Sequence, residues 1–117
     1  MHTSRTADMD RCIEACQSCH DVCLESITHC LHLGGKHAEP EHIRLLMDCA
    51  QICSTDAAFM MRNSPLHRDV CAACAAVCEA CAESCAALAD ERQMQLCADQ
   101  CRRCAELCRE MAAQHSH

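Results

Sequence analysis

Residues 74–85 read CAAVCEACAESC, residues 12–23 read CIEACQSCHDVC, and residues 97–108 read CADQCRRCAELC. All three runs share the spacing C-x3-C-x2-C-x3-C. Steps of four, three and four residues average about 3.5 residues, the a/d spacing of helices that pack in a left-handed bundle. The runs therefore predict three helices, each with its Cys residues on the face that turns towards the other helices.

The same spacing continues outside the three runs, and no Cys of the chain falls off it. Further positions of the pattern are occupied by Cys30, by Cys71 and, in a fourth stretch, by Cys49, Cys53, Asp56 and Met60. Positions that should hold Leu or Ile in an ordinary bundle therefore hold Cys. The fourth stretch is predicted to be a helix with fewer inward thiols than the other three.

Turn signals divide the chain into four helical stretches. Gly34 and Gly35 end the first helix, and Pro40 suits the first position of the second. Ser64 is predicted to cap the third helix, with Pro65 as its first residue. The predicted helices span about residues 8–33, 40–62, 65–88 and 91–113. Because their connections are short, they predict an all-α, up-down-up-down antiparallel four-helix bundle with a Cys-lined core, in one domain covering residues 1–117.

Composition excludes several classes of protein. The formal charge of −7 disfavours a nucleic-acid partner, since phosphate contacts need clustered Lys and Arg. No segment approaches the roughly 20 apolar residues of a membrane span, and the first residues lack the apolar core of a signal peptide. The chain is rich in good helix formers rather than in the loops of secreted disulfide scaffolds. A cytoplasmic protein with reduced thiols is therefore expected.

Three uses of the inward thiols are disfavoured by the pattern. Cys can fill a core as a small hydrophobe, but 16 Cys on one helical phase would pack a bundle poorly compared with Leu. Disulfides within a helix would join Cβ atoms about 6 Å apart, against about 3.8 Å in a disulfide. The ferredoxin run differs in spacing and wraps its cluster with loop backbone, whereas no Gly or Pro interrupts these runs.

Metal binding remains, with Cu(I) and Zn(II) as the competing ions, because thiolates suit both. If all the thiols were ionised around about four tetrahedral zinc ions, about eight negative charges would stay uncompensated in the core. Burying that charge is prohibitive, whereas one Cu(I) per thiolate leaves the core neutral. Cu(I) also accepts few ligands and bridging thiolates. Storage of Cu(I) is therefore favoured, with a Zn(II)- or Cd(II)-sequestering thiolate protein as the alternative.

With these runs, the chain resembles the cytosolic bacterial members of the copper storage protein (Csp) family along its whole length. The resemblance implies a four-helix bundle whose thiolates bind many Cu(I) ions, commonly assembled as a homotetramer. The expected partners are copper ions and, to deliver them, a copper chaperone. The ligands that the resemblance implies are Cys12, Cys16, Cys19, Cys23, Cys30, Cys49, Cys53, Cys71, Cys74, Cys78, Cys81, Cys85, Cys97, Cys101, Cys104 and Cys108.

The two ends of the predicted bundle differ in chemistry. Extending the Cys spacing to one end gives Met9, Met60, Asn63, His67, Met111 and His115; the other end gives a plug of Leu33, Leu46, Leu88 and Met94. Thioethers and imidazoles are plausible weak Cu(I) ligands, so we expect copper to enter past the Met/His end. Asp56, the one carboxylate on the inner face, is expected to be a weak, exchangeable ligand near that end.

The remaining histidines suggest no catalytic site. His29, His32, His37 and His42 crowd around the Gly-Gly loop and are expected to be exposed to solvent, with a second surface site as the alternative. No His and acid pair is expected to converge on one distinguished Cys, and the thiols look equivalent. A storage protein is therefore favoured over an enzyme or an electron-transfer protein.

Overall fold

The computed structural model describes residues 5–114 as four α-helices and one short 3-10 helix, with no β-strand among them. The α-helices are α1 (Ala7–Leu33), α2 (Pro40–Met61), α3 (His67–Ala86) and α4 (Arg92–Ala113), and the 3-10 helix spans Gly35–Ala38. The prediction of an all-α fold is confirmed. No helix in this part of the chain combines the length and apolar character needed to cross a membrane.

The four helices form an antiparallel bundle measuring 53 × 19 × 19 Å. Helix α1 packs against α2 and α4, and α3 packs against the same two helices, so the helices surround a common axis. Cys12 near the start of α1 contacts Cys108 near the end of α4. At the other end of α1, Cys30 contacts His42 near the start of α2. With the contact of Cys71 near the start of α3 and Met60 near the end of α2, they establish the predicted up-down-up-down order.

Three of the helix boundaries follow from local chemistry. The Thr6 side chain accepts a hydrogen bond from the Met9 N–H at 3.0 Å and caps α1. Gly34 ends α1 at a φ of 73°, a conformation that favours glycine, as predicted from the Gly-Gly pair. Glu91 caps α4 by accepting a hydrogen bond from the Met94 N–H at 3.3 Å.

The predicted start of the third helix is wrong by two residues. Helix α3 begins at His67, and Pro65 lies in the turn before it. The Ser64 hydroxyl accepts a hydrogen bond from the Leu66 N–H at 3.1 Å, so it stabilises that turn instead of capping the helix. Asn63 has a φ of 56°, the left-handed conformation in which Asn is tolerated, and this geometry delays the new helix.

Small residues beside the Cys positions let the helices approach closely. The buried alanines of the helices are Ala15, Ala50, Ala57, Ala75, Ala82, Ala98 and Ala105. Because an alanine adds only a methyl group, the helices can pack with their short Cys side chains meeting across the bundle axis. The fold therefore brings thiols from different helices into contact.

Candidate metal centre

All 16 Cys side chains are fully buried and exist as free thiols. The prediction of a Cys-lined core is confirmed. Across the helix pairs, Cys19 and Cys49 sulfurs lie 3.6 Å apart, and Cys53 and Cys78 sulfurs lie 3.7 Å apart. The core is therefore a continuous column of thiols rather than a set of separate Cys pairs.

Within this column the structure contains five groups of four possible ligands whose ligand atoms all lie within 4.8 Å of one another. Each group shares one or two Cys residues with the next. In order along the bundle, the shared residues are Cys16 and Cys108, Cys104, Cys19, and finally Cys23 and Cys101. In order along the bundle, the groups are Cys12–Cys16–Asp56–Cys108, Cys16–Cys74–Cys104–Cys108, Cys19–Cys53–Cys78–Cys104, Cys19–Cys23–Cys49–Cys101 and Cys23–Cys81–Cys97–Cys101. We call this set the thiol ladder.

Contacts between thiols make the members of the ladder unequal acids. Hydrogen bonding with Cys101 lowers the pKa of Cys19, whereas hydrogen bonding with Cys104 raises the pKa of Cys53. A thiolate that forms in the ladder is therefore stabilised by neighbouring S–H groups before any metal arrives. Thiolates are the form of Cys that binds metal ions.

Asp56 lies inside the ladder, as its position on the Cys spacing predicts, and is fully buried. Its Oδ1 accepts a hydrogen bond from the Cys71 thiol at 3.1 Å, and its Oδ2 accepts from the Cys108 thiol at 3.4 Å. Burial raises the pKa of Asp56 to about 7, although these hydrogen bonds oppose the shift. The carboxyl group is therefore poised between its neutral and its charged form.

The other end of α1 carries a contact that the sequence analysis missed. His42 is buried, with 5% of its surface exposed, and its Nε2 lies 3.5 Å from Cys30 Sγ; the expectation that this histidine is exposed is wrong. Cys30 Sγ also lies 3.7 Å from Met94 Sδ. The signal was available, because His42 is four residues before Leu46 on the inward spacing of the second helix.

A column of buried thiols with thioether and imidazole groups near its ends is a site for a soft metal ion. Comparison with known proteins agrees with this chemistry, since the family model described as copper storage protein matches residues 5–113. The chain belongs to the copper storage protein family. The resemblance predicted from the Cys runs is confirmed.

Several known proteins are similar to this family member. A Cu(I)-bound copper storage protein, BsCsp3, is 40% identical, with a TM-score of 0.84 over 91% of this chain and 99% of that one. The copper storage protein Ccsp from Streptomyces lividans, loaded with 10 copper equivalents, is 33% identical, with a TM-score of 0.82 over 97% and 92% of the two chains. An uncharacterized cysteine-rich protein of Bacillus subtilis, YhjQ, is 41% identical over 68 residues, which are 58% of this chain and 63% of that protein.

The Met/His end of this copper storage family member is closed by three methionines. Met9, Met60 and Met111 are 6%, 0% and 2% exposed, and Met60 Sδ lies 4.0 Å from Cys71 Sγ. His67 is half-buried, with its Nδ1 2.8 Å from the Ser64 carbonyl oxygen. Asn63 is exposed in the turn. His115 lies outside the described residues, so the structure brings together only part of the predicted set.

The predicted leucine plug is present only in part. Leu46 and Met94 are fully buried, but Leu33 is 48% exposed and Leu88 is half-buried. Leu33 is the last residue of α1, beyond the packed length of the bundle, which explains why it does not close the core. Of the other histidines near this end, His32 is exposed and His29 pairs with Glu91 at 2.9 Å.

Proposed function

We propose that this protein stores and buffers Cu(I) on the thiolates of its 16 Cys residues. The observation that carries the proposal is that neighbouring four-ligand groups share sulfurs from one end of the thiol ladder to the other. An ion bound in one group therefore bridges to the next, so the ladder can fill along its whole length. Bridging thiolates and low coordination numbers suit Cu(I) better than separate tetrahedral Zn(II) sites.

Charge supports the same choice of metal. The ladder is fully buried, so any net charge in it lacks solvation by water. About one Cu(I) per thiolate keeps the loaded core neutral, whereas zinc bound at about one ion per four thiolates leaves it strongly negative. The relatives BsCsp3 and Ccsp, which share this fold, hold Cu(I) and about ten copper equivalents respectively.

The proposed ligands are the 16 Cys named above, with Asp56 and Met60 as weaker ligands at the Met/His end. Asp56 contacts the thiols of two helices, and Met60 contacts Cys71. Carboxylate oxygen is a hard ligand, so a copper ion beside Asp56 exchanges more readily than one held by thiolates alone. Met9 and Met111, with His67 and His115 further out, are proposed to line the route by which copper reaches Asp56.

Storage rather than catalysis is proposed although the described residues include a Cys–His pair. Cys30 and His42 lie 3.5 Å apart, a separation that a catalytic dyad can have. Burial, however, raises the pKa of Cys30 to about 11, the opposite of the lowered pKa that activates a nucleophilic Cys. The Cys30 side chain is also fully buried, so a substrate cannot reach it.

A reducing cytoplasm, a homotetramer and a copper chaperone complete the proposal. Free thiols persist in a reducing compartment, and a relative from Streptomyces lividans is described as a cytosolic copper storage protein. Large apolar side chains remain exposed on this chain, among them Leu24, Met47 and Leu96 at 46%, 56% and 50%. These surfaces support assembly with further copies of the chain.

Anaerobic titration of the reduced protein against a chelator of known affinity tests the proposal. Cu(I) should be taken up to about 16 ions per chain, because about one ion neutralises each thiolate. Zn(II), titrated in the same way, should bind in smaller number and be displaced by Cu(I). Saturation at about four ions with either metal, and equal affinity for both, would support the zinc-sequestering alternative.

A further inference from the structure

We propose that Cys30, His42 and Met94 form a discrete Cu(I) site, separate from the thiol ladder, in which Ser84 positions the imidazole of His42. The inference rests on the proposed Cu(I)-binding function and assigns a second kind of site to the same chain. The site brings together one thiol, one imidazole and one thioether near the ends of α1, α2 and α4. None of its donor atoms is a hard oxygen ligand, so the site suits Cu(I) rather than Mg²⁺ or Ca²⁺.

The two distances from Cys30 Sγ fit an ion that it shares with each of the other donors. Cys30 Sγ lies 3.5 Å from His42 Nε2 and 3.7 Å from Met94 Sδ. Ligands at about 2.0–2.3 Å from one metal in a trigonal plane would be about 3.5–4 Å apart. The three residues are buried, and Cys30 already contacts both of the others without a rearrangement of the helices.

On α1 and α2, the inward positions between this trio and the nearest group of the ladder hold no thiol, whereas on α3 Cys85 follows Cys81 of that group. On the inward face of α1, Ser26 lies between Cys23 and Cys30, and on that of α2, Leu46 lies between His42 and Cys49. Both intervening side chains are fully buried. The Ser26 hydroxyl already accepts a hydrogen bond from Gln93 Nε2 at 3.0 Å. Among the described residues, Cys30 belongs to none of the five groups of the ladder.

Ser84 fixes which nitrogen of His42 faces the thiol. Its hydroxyl oxygen lies 2.6 Å from His42 Nδ1, on the side of the ring opposite to Cys30. When Nδ1–H donates to Ser84, the Nε2 lone pair points towards Cys30 and is free for a metal. Hydrogen bonding of the distal ring nitrogen is the usual way in which a metal-binding His is oriented. Ser84 is therefore a positioning residue and not a ligand.

The trio has its own contact with the solvent. A surface cleft of about 430 Å³ is lined by His42 and Ser84 together with Lys36, Glu39 and Glu41. His42 thus lies at the boundary between this cleft and the buried sulfurs of Cys30 and Met94. An ion bound here would exchange with solvent without passing through the ladder.

Methyl NMR of protein labelled with ¹³C at the methionine methyl groups tests the site during anaerobic Cu(I) titration. The titration is made on the wild-type protein. Met94→Leu, a change that conserves volume, is used only to assign the Met94 methyl resonance. We expect the Met94 methyl resonance to shift as about one equivalent of Cu(I) binds. The resonance of Met47, which is 56% exposed on α2, is the matched control and should stay in place.

The outcomes separate this inference from the proposed function. If thiolate-to-copper absorption develops to full loading while the Met94 resonance does not move, the discrete site is wrong and storage stands. If the wild-type protein takes up no Cu(I), the proposed function fails and the inference fails with it. Cys30→Ser and His42→Phe should each abolish the Met94 shift while the ladder still fills; persistence of the shift in both would overturn the ligand set.

Ser84 is tested through the tautomer of His42 in the apo protein. We expect ¹⁵N NMR of the wild-type ring to show a protonated Nδ1, and Ser84→Ala to give a mixture of tautomers and weaker binding at this site. Ser54→Ala, at an exposed serine of α2, is the matched control. An unchanged tautomer in Ser84→Ala would show that Ser84 only fills space.

Discussion

Asp56 Oδ1 lies 3.1 Å from the sulfur of Cys71 in the fully buried core. A carboxyl group in that position has lost its water, and the thiols beside it are weak hydrogen-bond donors. Its charged form is therefore poorly stabilised, which raises its pKa from the usual 3.8 to about 7. Burial of this carboxyl group, which the contact with Cys71 only partly offsets, links the stability of the apo protein to pH.

The apo protein should lose stability as the pH rises from about 4 to about 7. In that range folded Asp56 keeps a proton that the unfolded chain has released, so the folded state binds more protons. Asp56→Asn should remove this dependence. The change that it causes in the free energy of unfolding should be more stabilising at pH 7.5 than at pH 4, by up to about 4 kcal/mol. Urea unfolding of the reduced apo proteins at both pH values measures this difference.

Asp48→Asn supplies the control for that measurement, because Asp48 is exposed on the same helix. Its effect on the free energy of unfolding should be small and alike at the two pH values. An equal effect of Asp56→Asn at pH 4 and pH 7.5 would mean that the buried carboxyl does not titrate in this range. In the loading experiment, Asp56→Asn should lower the copper capacity by about one ion at most and slow uptake at low copper.

Loss of a shared thiol should reduce copper capacity more than loss of an unshared one. Cys104 belongs to two groups of the ladder, whereas Cys81 belongs to one. Cys104→Ser should therefore remove up to about two Cu(I) ions, and Cys81→Ser about one, because a serine hydroxyl is a poor ligand for Cu(I). Metal analysis after anaerobic loading and desalting gives the two capacities. Equal losses would indicate that the ions do not bridge neighbouring groups.

The reduced apo protein should be helical before copper binds. Burial in the core opposes ionisation of the thiols, so most of them are neutral at pH 7 and behave as small apolar groups. The buried alanines and thiols therefore pack without metal, in contrast to a zinc finger, which folds only when it binds its ion. Far-UV circular dichroism of the reduced apo protein checks this. A disordered spectrum that becomes helical on adding Cu(I) contradicts the expectation.

Leu46 should be important for stability because it is one of the few large apolar side chains in the core. It is fully buried, and replacing it with Ala would leave a cavity between the ladder and Cys30. Leu46→Ala should lower the free energy of unfolding by about 2–5 kcal/mol. Leu96→Ala, at a leucine that is 50% exposed on α4, should change it by less than about 0.5 kcal/mol. Urea unfolding of the two reduced apo variants compares them directly.

Local patterns in the sequence were enough to predict the helices, the face that each one buries and the soft-metal chemistry of that face. The reason is that the step of about 3.5 residues between Cys positions is a local property, and it forces one side of each helix inwards. The turn at Gly34 was equally local, since a positive φ favours glycine. The start of α3 was misplaced because Ser64 and Pro65 suit both a helix start and a turn.

Which inward residues meet across the bundle depends on tertiary packing. The stagger of α1 against α2 brings His42 to Cys30, and the packing of α2 between α1 and α3 brings Asp56 to Cys71. Helical periodicity states that a side chain points inwards, but it contains no information on the axial shift between neighbouring helices. That shift is set by the packing of all four helices together. For this reason the column of thiols was predictable, whereas the sharing of its sulfurs and the separate Cys30–His42–Met94 contact were not.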